Sequence, residues 1–191
     1  MSTAAVIIIT AVIVAAVVIG LYFYNKQQRT RRLRTRFGPE YDRTAGQLRD
    51  EAKVEAELER REKRVERFRL RTLSAADQQR YTNEWQQVQA EFVDDPQLAV
   101  TKADRLLQTV MTARGYPASD FETTCGDLSV HHPRSVQNYR SAHDIILRHK
   151  QGNASTEDLR QSMVLYRALF EDLLDRRKPD LLETPAPRRV A

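Results

Sequence analysis

The pattern of apolar and polar positions changes character twice along this chain. From Ala4 to Tyr24 it is unbroken: AAVIIITAVIVAAVVIGLYFY carries no charged residue. About 20 apolar residues at 1.5 Å rise cover a bilayer core of roughly 30 Å, and a helix satisfies its own backbone there, so the run predicts a transmembrane helix over residues 4–24. A cleavable signal peptide wants a cationic start and a shorter apolar core than this. Only Met1, Ser2 and Thr3 stand before the run.

Beyond the run the pattern becomes polar, then amphipathic. Residues 25–36 are a basic juxtamembrane segment. Phe37-Gly38-Pro39 interrupts any helix continuing from it, because glycine and proline are the poorest helix residues. Thr44 with Gln47 reads as a capping box for a helix to about Arg69. That helix is rich in acid–base pairs at i,i+4 such as Glu57 with Arg61 and Glu59 with Lys63, which mark a solvated surface. Val54, Leu58, Val65 and Phe68 form a short seam interrupted by Arg61. The expectation over residues 37–73 is a charged, exposed stalk helix, with weak homodimerisation through that seam as an alternative.

From Ser74 short amphipathic helices follow one another. Tyr81, Trp85, Val88 and Phe92 share one face after a start at Ser74 and Asp77. Asp95 and Pro96 open a second helix with Ala99, Ala103, Leu106, Leu107, Val110 and Met111 as its stripe, closed by Gly115 and Pro117. Ser119 with Glu122 opens a short third. His131-His132-Pro133 breaks the chain before a fourth with Val136, Tyr139, His143 and Ile146 on one face, ended by Gly152-Asn153. Ser155 with Asp158 opens the last, with Leu159, Met163, Tyr166, Phe170 and Leu173 in line. No stretch alternates with period two between hairpin turns. The fold class expected is all-α: an N-terminal transmembrane helix, a charged stalk helix, and a bundle of about four to five short helices over residues 74–178. A proline-containing tail over residues 179–191 is expected to be disordered.

The net charge of +5 and pI near 9.5 suggest nucleic acid until the charge is located. Residues 25–36 hold six cations, Lys26, Arg29, Arg31, Arg32, Arg34 and Arg36, and no acid. The bundle region is slightly acidic, with 13 cations against 15 anions. A nucleic-acid-binding domain carries its own basic face, so none is expected to bind here. A basic cluster beside an apolar span marks the cytoplasmic side, and it attracts anionic lipid headgroups. The six cations are therefore the candidate membrane-surface contacts, with the lipid bilayer as partner. The placement expected is a single-pass protein of the inner (cytoplasmic) membrane, N-terminus outside and C-terminal domain in the cytoplasm. The single cysteine, Cys125, permits no intramolecular disulfide.

Candidate chemistry is sparse. Cys125, His131, His132 and His143 fit no common zinc spacing. No phosphate-binding glycine loop, Gly-x-Ser-x-Gly or His-Glu-x-x-His is present. No catalytic residue, metal or cofactor is assigned. Asp120, Glu122, Tyr116, Tyr139 and Arg140 are candidates for a polar pocket near the loops, against the simpler reading that packs Tyr116 beside Pro117 at the helix end and puts Tyr139 in the core stripe. The function expected is a membrane-anchored helical interaction or structural module with a protein partner. A hydrolytic or metal-dependent enzyme, or a tethered nucleic-acid binder, are the alternatives.

The segments RFGPEYDR (36–43), ARGYP (113–117), DLSVHHP (127–133), NYRSAH (138–143) and STEDLRQSMVLYRALFEDLL (155–174) resemble those of an uncharacterised family of bacterial proteins with one N-terminal span. The resemblance covers roughly residues 36–175. It implies bacterial origin and the anchored architecture, and it carries no catalytic or binding role to any residue.

Overall fold

A computed structural model describes the backbone of residues 3–174 and the side chains of residues 13–174. The described residues form eight helices and no strand: α1 (Thr3–Phe37), α2 (Pro39–Leu48), α3 (Glu51–Val65), α4 (Ala75–Glu91), α5 (Pro96–Ala113), α6 (Phe121–Leu128), α7 (Pro133–Lys150) and α8 (Thr156–Leu174). The tail over residues 179–191 lies outside them. The chain divides into two compact units between Leu58 and Glu59, a boundary inside α3.

In the first unit the apolar run and the basic segment are one uninterrupted helix, α1, rather than a span followed by a separate strap. Among the described residues no helix is long and apolar enough to cross a membrane. Much of the run expected to do so, residues 4–12 of 4–24, lies outside the described side chains. The break at Gly38 is where the sequence puts it: Gly38 has φ 48°, and Pro39 begins α2. That early start displaces the expected capping box. Thr44 is already inside α2, and its hydroxyl donates back to the Glu40 carbonyl at 2.8 Å. The helix expected from Thr44 to Arg69 is thus two helices. Arg49 takes the left-handed conformation (φ 55°) that turns the chain, and Asp50 caps α3 by accepting from the backbone N–H of Ala52 at 3.0 Å.

The exposed stalk is also corrected. Val54, Leu58 and Val65 are 1%, 0% and 2% exposed, so these three positions of the seam are buried within the chain instead of facing solvent. Leu33, Phe37 and Tyr41 of the first unit are buried as well. A sparse apolar stripe on a charged helix stays exposed only when nothing packs on it, and the exposures show that this one is covered. Lys26 of α1 meets Glu51 of α3, and Arg29 meets Glu55. These pairings advance in the same direction along both helices, so α1 and α3 run parallel with α2 as the returning segment.

The second unit is the bundle. α8 packs against α5 and α7, and α4 packs on α5. The expected stripes supply its core: Tyr81, Trp85 and Val88 from α4; Ala99, Ala103, Leu106, Leu107, Val110 and Met111 from α5; Leu159, Met163, Tyr166, Phe170 and Leu173 from α8. Along α7, Val136 and Tyr139 are buried with Ala142 and Ile145, whereas His143 and Ile146 are half-buried. Capping largely follows the local sequence. Ser74 accepts from the Asp77 N–H and Asp95 from the Leu98 N–H. Ser155 and Asp158 cap each other reciprocally, through Ser155 N–H to Asp158 at 2.8 Å and Asp158 N–H to Ser155 Oγ at 3.2 Å. At α6 the cap is Asp120, not Ser119: Asp120 accepts from the Thr123 N–H at 3.0 Å, and a carboxylate at a helix N-terminus also gains from the helix dipole.

The segment before Ser74 belongs to this unit too. Leu73 is in the core, and Phe68 and Leu70 pack against it. The Arg71 N–H donates to the Arg114 carbonyl at 3.0 Å, and Arg71 Nε donates to the Ala113 carbonyl at 2.7 Å. Arg64 is paired with Asp127, whose carboxylate is 3% exposed. Burial raises the Asp127 pKa, and the Arg64 guanidinium opposes that rise.

Gly115 joins these parts. It ends α5 in a six-residue cap in which Tyr116 N–H donates to the Met111 carbonyl at 3.0 Å and Gly115 N–H to the Thr112 carbonyl at 2.9 Å. Its φ is 96°, and a Cβ there would stand 2.4 Å from the Arg69 carbonyl oxygen. Gly115→Ala is expected to cost at least about 1 to 3 kcal/mol from backbone conformation alone. The clash with Arg69 adds to it, so chemical denaturation should show a clearly lowered midpoint. An unchanged midpoint would mean that residues 69–70 do not approach the end of α5.

Candidate functional site

Two places on the molecule gather polar chemistry, one in each unit. The first is the basic end of α1. At about 100° per residue the six cations point around the whole helix instead of to one side. Lys26 Nζ lies 3.8 Å from Glu51 Oε2, and Arg29 Nε lies 3.4 Å from Glu55 Oε2. The Thr30 hydroxyl donates both to the Lys26 carbonyl and to Glu55. Glu55 is nearly fully buried and meets both Arg29 and Thr30. Arg34 lays its guanidinium 5.0 Å from the centroid of the Tyr41 ring, and the interaction with the Tyr41 hydroxyl raises its pKa further above the ordinary arginine range. Arg31 and Arg34 stand on one flank, and Arg32 and Arg36 on the other.

Glu51 and Glu55 are the residues that sequence reasoning missed here. Their spacing of four matches that of Lys26 and Thr30, which is the signal that could have paired the two helices. The result is a divided cluster: Lys26 and Arg29 meet Glu51 and Glu55 on one side, and the other four cations lie on the two flanks. A groove of about 450 Å³ runs along the Arg31 and Arg34 flank, bordered by Phe23 and Glu51.

The second place is a cavity of about 710 Å³ in the bundle. Its aromatic wall is Tyr81, Tyr116, Phe121, Tyr139 and His143. Phe121 stacks on His143 with centroids 3.7 Å apart and tilts against Tyr139 at 5.3 Å. Asp104 is the only carboxylate among the lining residues. Its Oδ1 accepts from the Tyr139 hydroxyl at 3.3 Å and its Oδ2 from Gln108 Nε2 at 2.8 Å. Burial, with Asp104 beside them, pushes the Tyr139 and Tyr166 hydroxyls far above the usual phenol range, so both remain protonated. The Tyr166 hydroxyl is fully enclosed and makes no hydrogen bond within ordinary geometric limits. The size and the mostly apolar wall with a few fixed polar groups are those of small-ligand or side-chain pockets.

The five candidates for a polar pocket are only partly brought together. Tyr116 and Tyr139 line the cavity. Arg140 instead pairs with Glu122 at 2.5 Å and lies 6.0 Å from the Phe121 centroid, while Asp120 is spent capping α6. Asp104 went unnoticed because it lies beside the α5 stripe, where an acid reads as solvated.

The metal candidates stay apart. Cys125 is fully buried in no disulfide. His131 Nδ1 is 3.4 Å from the Tyr116 hydroxyl. His132 Nδ1 is 2.9 Å from Asp172 Oδ2, an oxygen that also accepts from the Ser135 hydroxyl at 2.7 Å. His143 is the stacked wall residue of the cavity. Among the described residues no three histidine, cysteine, aspartate or glutamate side chains converge as a metal would require. The fold is an all-α bundle with a helical N-terminal unit. No family model, curated protein or solved structure matches this chain.

Proposed function

We propose that the chain is a single-span membrane protein that holds a helical interaction module at the cytoplasmic face. The observation that carries this reading is the surface of α1. Ile13, Val14, Val17, Val18, Ile19, Leu21, Tyr22, Phe23 and Tyr24 are 54% to 65% exposed, and their positions cover the whole circumference of the helix. A helix apolar on all sides is stable in lipid or when covered all round. The preceding residues of the same helix, Ala4 to Val12, continue the charge-free run. Tyr22 and Tyr24 fall at the level of an interfacial aromatic belt, and the cations from Lys26 to Arg36 follow at once, which supports a cytoplasmic C-terminal part by the positive-inside rule. Anionic headgroups are the lipid partner this charge favours.

The bundle is then the working end, and its aromatic cavity around Asp104 is where a partner's side chain or a small ligand would dock. Readings as a hydrolytic or metal-dependent enzyme have less support, since no set of three metal-ligating side chains converges among the described residues. A tethered nucleic-acid binder is disfavoured by the slight excess of acid in the bundle region.

The test is extraction and topology of the full chain. It is expected to stay with membranes through an alkaline carbonate wash, and a reporter active only in the cytoplasm is expected to work when fused after Ala191. Release by carbonate would overturn the anchor, and activity of a periplasm-specific reporter at the same position would reverse the orientation.

A further inference from the structure

The groove on the Arg31 and Arg34 flank of α1 does more than add to a diffuse positive charge. Phe23, Lys26, Gln27, Thr30, Arg31 and Arg34 line it together with Glu51. Relative to Phe23 the α1 residues fall at +3, +4, +7, +8 and +11, a continuous stripe along one side of a helix. The stripe is amphipathic along its length. At its upper end Phe23 is 62% exposed and Ile19 56%, and Gly20, with no atom within 4 Å of the place its Cβ would take, leaves an opening beside them. Three cations against one carboxylate occupy the other end. Lys26 is already engaged with Glu51, which fixes the groove's inner wall, and Tyr41 holds the Arg34 guanidinium from below. Two guanidinium groups one helical turn apart match the oxygens of a phosphate, which arginine binds in a forked, bidentate manner.

We infer that this groove is a binding site for one anionic glycerophospholipid, its phosphate on Arg31 and Arg34 and an acyl chain beside Gly20 and Phe23. The inference rests on the membrane reading of α1, since the apolar end of the groove is part of that surface. A lipid rather than a free anion is the occupant because the cationic end opens directly onto exposed apolar helix. The same stripe also separates a site from general attraction. Arg32 and Arg36 carry the same formal charge within one helical turn of that pair but sit on the opposite flank, so a diffuse field would draw on both pairs.

The experiment titrates the full chain in zwitterionic detergent with dihexanoyl phosphatidylglycerol, dihexanoyl phosphatidylcholine or inorganic phosphate, read by native mass spectrometry or by amide chemical shifts at residues 20–34. Phosphatidylglycerol is expected to bind about 10- to 30-fold more tightly than phosphatidylcholine, the range two cations supply at a membrane surface. Arg31→Gln with Arg34→Gln should abolish that preference, whereas Arg32→Gln with Arg36→Gln should leave it within about twofold. Equal loss in both double variants would overturn the site in favour of diffuse charge. Equal binding of the two lipids would overturn it outright, and inorganic phosphate binding as tightly as phosphatidylglycerol would make it a free-anion site. Because these lipids are supplied as soluble monomers, failure here is distinct from release of the chain by carbonate, which tests the anchor itself.

Discussion

Trp85→Ala is expected to destabilise the bundle by about 3 to 5 kcal/mol, the usual range for truncating a large buried aromatic. Trp85 is 4% exposed and stacks on Phe170 with centroids 4.7 Å apart. Removing it takes away contact across two helices in one step, and the loss is a large share of the stability of an ordinary domain. Its indole N–H has no hydrogen-bond partner, so Trp85→Phe should cost markedly less, since it keeps an aromatic face on Phe170 and removes the unpaired donor. Chemical denaturation followed by circular dichroism distinguishes the two. An unchanged midpoint for Trp85→Ala would put the ring at the surface and make the face from Tyr81 to Phe92 a partner site.

The second large effect concerns where the bundle begins. The capping signal at Ser74 suggests that a fragment of residues 72–178 folds alone. The structure gives a different expectation. A fragment from residue 59 should be cooperatively folded, while one from residue 72 should lose stability or become molten. The shorter fragment lacks Phe68 and Leu70, which cover the core, and Arg64, which answers Asp127. Removing one partner of a buried pair leaves an uncompensated charge, at a cost of about 3 to 5 kcal/mol when burial is complete, and less here because Arg64 is 44% exposed. Asp127 avoids part of that cost by taking up a proton, so the shorter fragment should be least disadvantaged at low pH. Identical denaturation midpoints for the two fragments at neutral pH would show residues 59–71 to be energetically idle.

These two cases also mark what the sequence made legible. The stripe containing Trp85 was readable because a helix places residues three and four apart on one face whatever surrounds it. Starts and stops written in adjacent residues were readable for the same reason: Asp95 with Pro96, Gly115, Gly152, and Ser155 with Asp158. Thr44 and Gln47 misled because Pro39, five residues earlier, also starts a helix, and the earlier signal leaves Thr44 inside it. The burial of Val54, Leu58 and Val65 was not readable because it depends on tertiary packing, and three apolar residues in a charged helix have no local signature of being covered. The cavity was half legible. Its tyrosines fall on apolar stripes, but the use of Asp104 depends on α7 bringing Tyr139 opposite α5, a tertiary fact.

The continuity of α1 has a mechanical consequence. Because no glycine or proline separates Tyr24 from Phe37, the apolar part of the helix and the part that carries Leu33 and Phe37 behave as a single shaft, jointed first at Gly38. Length in this stretch therefore sets angle as well as distance. One residue added between Tyr24 and Lys26 would advance the shaft by only about 1.5 Å but turn it by roughly 100°. Lys26 and Arg29 would still face Glu51 and Glu55, while everything toward the N-terminus would be presented to its surroundings on a different side.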